Sequence, residues 1–284
     1  MVWAFDDGER QGLEIGPVGG GESRRIAAGK LGEVGDLAVA PNENTIAVAA
    51  RDGRLLLVDV ASGEVTELAR ANGEINGPTW SPDSAWLAWS QPEGEHLRRI
   101  RLARIADRVV TDVTDGRFMD ISPAFTGDYL AFLSRRGFDP VYDAHSFDMA
   151  FPFGYRPYLV PLAASTPSPF APSSDGRSTG DSGGSGDSGD SGEDKKEEGG
   201  TALTVDLDGI AARVVQVPVP EGRYSDLRSV KGGFVWLREP LAGELGEDRD
   251  RVGVSPPSGA GPLRPRQAQV RRGGGEARLV PGER

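Results

Sequence analysis

The sequence predicts an all-β protein organised as a partial β-propeller, with about four blades of four-stranded antiparallel sheet. Strand cores of one type recur at Ile46–Val48, Leu87–Trp89 and Leu130–Phe132, about 41 and then about 43 residues apart, within the roughly 40 to 50 residues of a propeller blade. Turn sequences such as Asp52-Gly53 and Ser62-Gly63 separate short β-rich segments. These short segments disfavour a helical solenoid of similar period.

Within one repeat, the residue types match the strands of a blade. The apolar run Leu55–Val60 is typical of a strand covered on both faces, and Val65–Leu68 alternates as an outer strand does. A small residue stands at the centre of each repeated core, namely Ala47, Ala88 and Ala131. We therefore expect neighbouring blades to approach closely at these alanines.

Composition divides the chain into four parts. Residues 1–171 carry the propeller blades, and residues 172–200 form a Ser/Gly/Asp-rich insert with a charge run and no aromatic residue, which predicts disorder. Strand-like sequence resumes at Thr201–Val205 and Gly233–Leu237, so residues 201–250 are predicted to continue the propeller. Residues 251–284 are rich in Gly, Pro and Arg and predict an unstructured tail, either a basic tail or the product of a reading-frame slip.

Charge and composition exclude several functions. The formal net charge of −11 over 284 residues argues against a nucleic-acid surface, which needs a basic face. The absence of cysteine excludes disulfides and thiolate metal sites and suits a reducing compartment. We expect no signal peptide in the acidic N-terminus, and no apolar run approaches the roughly 20 residues of a membrane span. We expect a cytoplasmic protein without a membrane partner.

One sequence pattern resembles a hydrolase motif. Gly180–Gly184 reads GDSGG, as around the nucleophile of some serine proteases, but it lies in a repetitive GDSGGSGDSGDSG tract. A nucleophile such as Ser182 needs a rigid turn, a base and oxyanion donors, which this tract does not offer. The chain has two histidines, and His96 lies in a predicted hairpin loop, where solvent exposure is expected.

The segment around His145 allows two interpretations. Its imidazole stands near three carboxylates, a composition that resembles a hard-metal site; these are Asp139, Asp143 and Asp148. The interleaved aromatic residues favour a structural role instead, with their rings buried; these are Tyr142, Phe147 and Phe151. We favour the structural role and assign no catalytic, metal-binding or cofactor-binding residue.

Paired arginines and clustered glycines are weaker candidates. Arginine pairs facing a channel are able to bind peptide carboxylates, although a solvated strand edge is the expected setting; the pairs are Arg24–Arg25, Arg98–Arg99 and Arg135–Arg136. The glycines Gly16, Gly19, Gly20 and Gly21 are expected to form a hairpin turn rather than a phosphate cradle.

Three segments of the chain resemble a known family. AFLSRRGFDPVYD at 131–143, FDMAFP at 147–152 and RPYLV at 156–160 resemble the second, seven-bladed propeller of tricorn proteases. Further matches lie at 52–55 and 59–64 and, beyond the insert, at 206–210 and 217–224. The resemblance covers approximately residues 1 to 245.

The resemblance implies a large cytoplasmic serine peptidase with two propellers, a PDZ-like domain and two mixed α/β domains. Its catalytic groups belong to the mixed domains, and no position of this chain matches them. The propeller in such enzymes resembles a filter that guides oligopeptides to the active site. Its expected partners are those oligopeptides and the remaining protease domains or a second copy of the chain.

The sequence accounts for about four blades, whereas the family's second propeller has seven. We therefore expect a truncated product or gene fragment that is incomplete at both ends. Such an arc exposes apolar faces and strand edges, so we expect it to be marginally stable and inactive as a peptidase on its own. The alternative is a free-standing interaction scaffold similar to WD40 or TolB-like propellers.

Overall fold

The computed structural model describes residues 1–137, 140–143, 148–151, 154–170, 202–239, 267–272 and 275–278. Within these ranges, regular structure consists of β-strands and a short 3-10 turn at Ile210–Arg213. The strands form largely antiparallel sheets that follow one another along the chain. The all-β fold class predicted from the sequence is confirmed.

The first two sheets come from the N-terminal part of the chain. The first blade is a three-stranded sheet of β1 (Val2–Asp6), β2 (Gln11–Ile15) and β3 (Arg24–Ile26). The second blade has four strands in sequence order, β4 (Val34–Val39), β5 (Thr45–Ala50), β6 (Arg54–Asp59) and β7 (Val65–Arg70).

The third and fourth blades share a sheet through one parallel pair, Arg98 with Met119. The third blade consists of β8 (Asn76–Trp80), β9 (Trp86–Pro92), β10 (Arg98–Arg104) and β11 (Val109–Asp112). The fourth begins with β12 (Met119–Thr126) and β13 (Tyr129–Arg135), followed by a separate hairpin of β14 (Val141–Asp143) and β15 (Asp148–Ala150). It ends with β16 (Tyr155–Pro161) and β17 (Val215–Gln216).

The fifth blade completes the described part of the molecule. Its strands are β18 (Arg223–Val230), β19 (Gly233–Glu239), β20 (Gln267–Arg272) and β21 (Gly275–Arg278). The last two strands lie in the range 251–284, where the sequence predicts no strand, and their backbones extend the sheet from β19. The predicted strand at Thr201–Val205 is wrong, because residues 202–207 belong to no sheet.

Neighbouring blades interlock small residues with large ones. Ala47 of the second blade lies in one buried cluster with Leu87 and Trp89 of the third. The pattern repeats from the third blade to the fourth, and from the fourth to the fifth, where Ala131 lies in one cluster with Phe234 and Trp236. The central alanines are fully buried, which confirms that adjacent sheets approach closely there.

The Ser81-Pro82-Asp83 turn between β8 and β9 anchors the chain beyond the insert. Asp83 Oδ2 accepts a hydrogen bond of 2.8 Å from the Leu203 amide, and Oδ1 accepts one of 2.5 Å from the Ser81 hydroxyl. Burial raises the pKa of Asp83, but these bonds and one from the Ala85 amide outweigh it and hold the pKa below its ordinary value. Leu203 thereby packs against the core between the third and fourth blades.

No helix long and apolar enough to cross a lipid bilayer occurs in the described ranges.

Candidate functional site

The innermost strands of four blades, β4, β8, β12 and β18, pack side by side along the propeller axis. Each contains a β-bulge at the equivalent position, where its register against the next strand shifts. In three of them the bulge residue has a positive φ: 61° at Gly77, 53° at Ser122 and 51° at Asp226. Bulges redirect side chains, and a positive φ stores about 1–2 kcal/mol of strain in Ser or Asp. An irregular backbone therefore faces the axis.

Adjacent bulges also contact one another. The Gly77 amide of the third blade donates a hydrogen bond of 3.0 Å to Asp36 Oδ2 of the second blade. A Cβ placed on Gly77 would lie 3.5 Å from Pro123 Cδ of the fourth blade. The bulges thus form a continuous arc on the axial side of the second to fourth blades.

A cleft of about 390 Å³ opens between the fourth and fifth blades, at the end where their inner strands begin. We call this end of the propeller the upper face; it carries Met119, Arg135, Tyr155 and Arg223. The cleft is lined by Arg135, Phe151, Gly154, Tyr155, Gly222, Arg223, Tyr224, Ser225 and Glu239. A volume of this size is in the range of small-ligand pockets.

A backbone bridge and the side chain of Tyr224 shape the floor of the cleft. Tyr155 and Gly222 exchange two backbone hydrogen bonds of 3.1 Å, which tie β16 to the segment preceding β18. The ring of Tyr224 covers Gly222 so closely that a Cβ there would meet the ring at 2.8 Å. The Tyr224 hydroxyl donates a hydrogen bond of 2.9 Å to the Pro220 carbonyl. Only glycine at position 222 allows this close packing.

A buried polar network lies in the fourth blade beside the cleft. Asp120 is fully buried, and its Oδ1 accepts a short hydrogen bond from the Ser134 hydroxyl. Arg136 approaches the same oxygen at 3.4 Å and donates a bond of 2.8 Å to Ser134 Oγ. The Arg136 guanidinium also stacks on aromatic rings, 4.5 Å from the Tyr158 centroid and 4.8 Å from that of Phe118. The network fixes the end of β13 that carries Arg135.

The arginine pairs predicted from the sequence have different environments. Arg24 donates hydrogen bonds to the Val60 and Ala61 carbonyls, and Arg25 lies 4.3 Å from the Phe5 ring centroid and pairs with Glu14. These contacts join the first blade to the second or lie within the first. Neither side chain reaches the cleft.

The second pair is also structural. Arg98 donates to Ser90 Oγ at 2.8 Å and to the Glu74 carbonyl at 2.9 Å. Burial lowers the pKa of Arg98, against the opposing effect of the Glu74 charge. Arg99 pairs with Asp112 at the adjacent strand. Of the six paired arginines, Arg135 alone lines the cleft.

The predicted histidine and glycine environments are met where the structure describes them. His96 lies in the loop between β9 and β10, and its side chain is 84% exposed, as expected. Gly16 and Gly19 to Gly21 lie at the hairpin turn between β2 and β3. His145, Asp139, Phe147 and the GDSGG tract with Ser182 lie outside the described residues, as do the Asp143 and Asp148 side chains. No group of three potential metal ligands occurs in the described part.

The predicted burial of two aromatic residues is wrong. Tyr142 is 55% exposed and Phe151 is 47% exposed. The reason is that, among the described strands, β14 and β15 pair with each other and with no strand of a blade. Its short strands pair Tyr142 directly with Met149, which is also exposed.

Sequence reasoning missed Asp120 and Glu239 as components of the upper face. Asp120 stands in the segment Phe118-Met119-Asp120, which carries no motif. Its partners are 14 and 16 residues away, so only the strand register brings them together. Glu239 meets Arg223 at 3.9 Å for the same reason, because the two residues are paired across β18 and β19.

Successive radial sheets with bulged inner strands around one axis define the class of this protein, a β-propeller. The chain belongs to the tricorn protease family: residues 1–255 match the model of the tricorn protease second β-propeller domain. It is 48% identical over 260 residues to tricorn protease homolog 1 of Streptomyces coelicolor, covering 88% of this chain and 23% of that protein. It is 28% identical over 253 residues to the tricorn protease of Thermoplasma volcanium, covering 84% and 22%.

Solved structures show the same fold. The crystal structure of the tricorn protease superposes with a TM-score of 0.69 at 20% identity, covering 95% of this chain and 24% of that one. The β-propeller domain of the Trilobed protease from Pyrococcus furiosus gives a TM-score of 0.51 at 9% identity, covering 98% and 66%. The chain spans about a quarter of the length of the curated tricorn relatives. It is therefore a protease-associated β-propeller.

Proposed function

We propose that this propeller guides oligopeptide substrates toward the active site of a tricorn-type serine peptidase and contributes no catalytic group itself. The observation that carries the proposal is the cleft on the upper face beside the bulged inner strands. Family membership supplies the link to proteolysis.

The chemistry of this face suits an extended peptide. The bulged inner strands interrupt the regular ladder, and Ser122 and Asp226 stand at the bulges. The cleft adds charged side chains of both signs and the exposed ring of Phe151. Peptides are recognised by such combinations of polar groups and apolar contacts.

The partners in this proposal are oligopeptides and the other domains of the peptidase, or a further copy of the chain. The upper-face hairpin β14–β15 presents Tyr142 and Met149 to solvent, which favours contact with another protein surface. The cytoplasm is the proposed compartment, in keeping with a chain that has no cysteine.

Photo-crosslinking tests the proposal. A pool of oligopeptides carrying a central benzophenone is irradiated with the purified chain, and the modified residues are mapped by mass spectrometry. Crosslinks are expected in β8, β12 and β18 and in the cleft around Tyr155. The peptides that do not crosslink are expected to remain uncleaved.

The outer strands serve as the internal control, because β7 and β11 lie farthest from the axis in their blades. Crosslinks confined to those strands, or none at all, would contradict peptide guidance. Shortened peptides that disappear when Ser182 is replaced by Ala would contradict the non-catalytic role.

A further inference from the structure

Within the described part of the chain, one positive charge of the cleft has no ion-pair partner, although the chain as a whole is acidic. The net charge of the protein is −11. Arg223 lies 3.9 Å from Glu239, so these two charges offset each other. Among the described residues, Arg135 forms no ion pair, and its guanidinium lies over the Tyr155 ring. A local cation in an acidic protein favours an anionic ligand group.

Two contacts orient the Arg135 side chain. Its guanidinium carbon lies 5.1 Å from the Tyr155 ring centroid. Its stem crosses Gly154 so closely that a Cβ there would lie 3.2 Å from Cγ and 3.3 Å from Nε. Preorganised arginine loses little conformational entropy on binding, and its planar fork matches a carboxylate.

An apolar surface adjoins this charge. Phe151 directly follows β15, lines the same cleft and is 47% exposed. Tyr155 presents its ring between Arg135 and the backbone bridge to Gly222. A ligand that fills the cleft therefore meets a cation and an aromatic surface together.

We propose that this cleft is a carboxylate-selective subsite for extended peptides, with the carboxylate bound by Arg135 and a neighbouring apolar side chain packed on Phe151. The C-terminal carboxylate and an acidic side chain offer the same chemistry. The inference rests on the proposed peptide-guiding function and adds to it the chemical class of peptide that this cleft selects.

Binding of three fluorescein-labelled peptides to the full chain, measured by fluorescence anisotropy, tests this subsite. The peptides share an Ala-Ala-Phe sequence and end as the free acid, as the C-terminal amide, or as the amide with Asp following Phe. Either carboxylate form is expected to bind about 10- to 100-fold more tightly than the plain amide, because charge-assisted hydrogen bonds are lost in the amide. Whichever of the two carboxylate peptides binds more tightly shows whether the cleft prefers a C-terminal carboxylate or an acidic side chain.

Arg135→Ala is expected to reduce this preference to near unity, and Arg135→Lys is expected to retain part of it. Arg70→Ala is the matched control, because it removes an exposed arginine from the outer strand β7 of the second blade and changes the net charge equally. Gly154→Ala retains Arg135 but crowds its stem, so it is expected to lower carboxylate affinity less than Arg135→Ala does. Thermal melting of each variant verifies folding.

The outcomes separate the two proposals. Equal binding of acid and amide peptides, or an unchanged preference in Arg135→Ala, would overturn the carboxylate subsite and leave peptide guidance standing. Absence of binding by all three peptides would overturn both.

Discussion

Replacing Asp120 with Ala removes the only fully buried carboxylate among the described residues. Two hydrogen-bonding contacts are lost, one from Ser134 and one from Arg136 at 3.4 Å. Removing one partner of a buried ion pair costs about 3–5 kcal/mol. Two observations reduce that value here: Oδ2 has no hydrogen-bond partner, and the Arg136 side chain remains 21% exposed. We therefore expect a loss of about 2 kcal/mol in the free energy of unfolding.

Urea titration followed by tryptophan fluorescence measures this loss. Asp120→Asn keeps one acceptor for Ser134, so about half the loss is expected. In a double-mutant cycle with Arg136→Ala, the two substitutions are expected to couple by about 1 kcal/mol, because they break the same contact. The control is Asp107→Ala, an exposed ion-pair partner of Arg104, which is expected to leave the midpoint unchanged. If Asp120→Ala unfolds at the wild-type urea concentration, the network does not stabilise the fourth blade.

Three further outcomes are expected. Gly53→Ala should lower the free energy of unfolding by more than about 2 kcal/mol, because φ is +86° and the added Cβ would lie 2.3 Å from the Ala71 carbonyl oxygen. Gly63→Ala, where the added Cβ meets ordinary contacts of 3.5 Å, should lower it by about 1 kcal/mol. Below about pH 4, the free energy of unfolding of the wild type, measured by urea titration, should fall more steeply with pH than that of Asp83→Asn. The folded-state pKa of Asp83 is lowered, so the stability that its carboxylate contributes is lost as pH falls through that value. Parallel plots of unfolding free energy against pH for the two proteins would refute this. Replacing 172–200 with eight Gly/Ser residues should raise the free energy of unfolding by about 1 kcal/mol, because a shorter loop costs less entropy to close. A large decrease in melting temperature would instead show that the insert packs on the fold.

The repeat of strand cores made the propeller predictable from sequence. Apolar residues flanking a central alanine recur because each blade must bury both faces against its neighbours, as Ala88 and Ala131 do. The hairpin turn at Asp52-Gly53 was predictable for a local reason, since glycine alone tolerates its positive φ next to the Ala71 carbonyl.

The features of the upper face were harder to predict from the sequence. Tyr142 and Phe151 have the residue type of a core, but the β14–β15 hairpin pairs with no other described strand, and both side chains are exposed. The bulges at Ser122 and Asp226 arise from the register between neighbouring strands rather than from turn sequences. Arg135 was named among the arginine pairs, but its position in the cleft depends on Gly154 and Tyr155, about 20 residues away, which β-pairing places beside it.

Hydrogen exchange with mass spectrometry on the purified chain, with and without an oligopeptide ending in a free carboxylate, shows whether the upper face binds peptides without cleaving them. We expect slower exchange at Tyr155 and Gly222 to Ser225, unchanged exchange in β7, and recovery of the intact peptide. Protection confined to the outer strands, or a cleaved peptide, would contradict it.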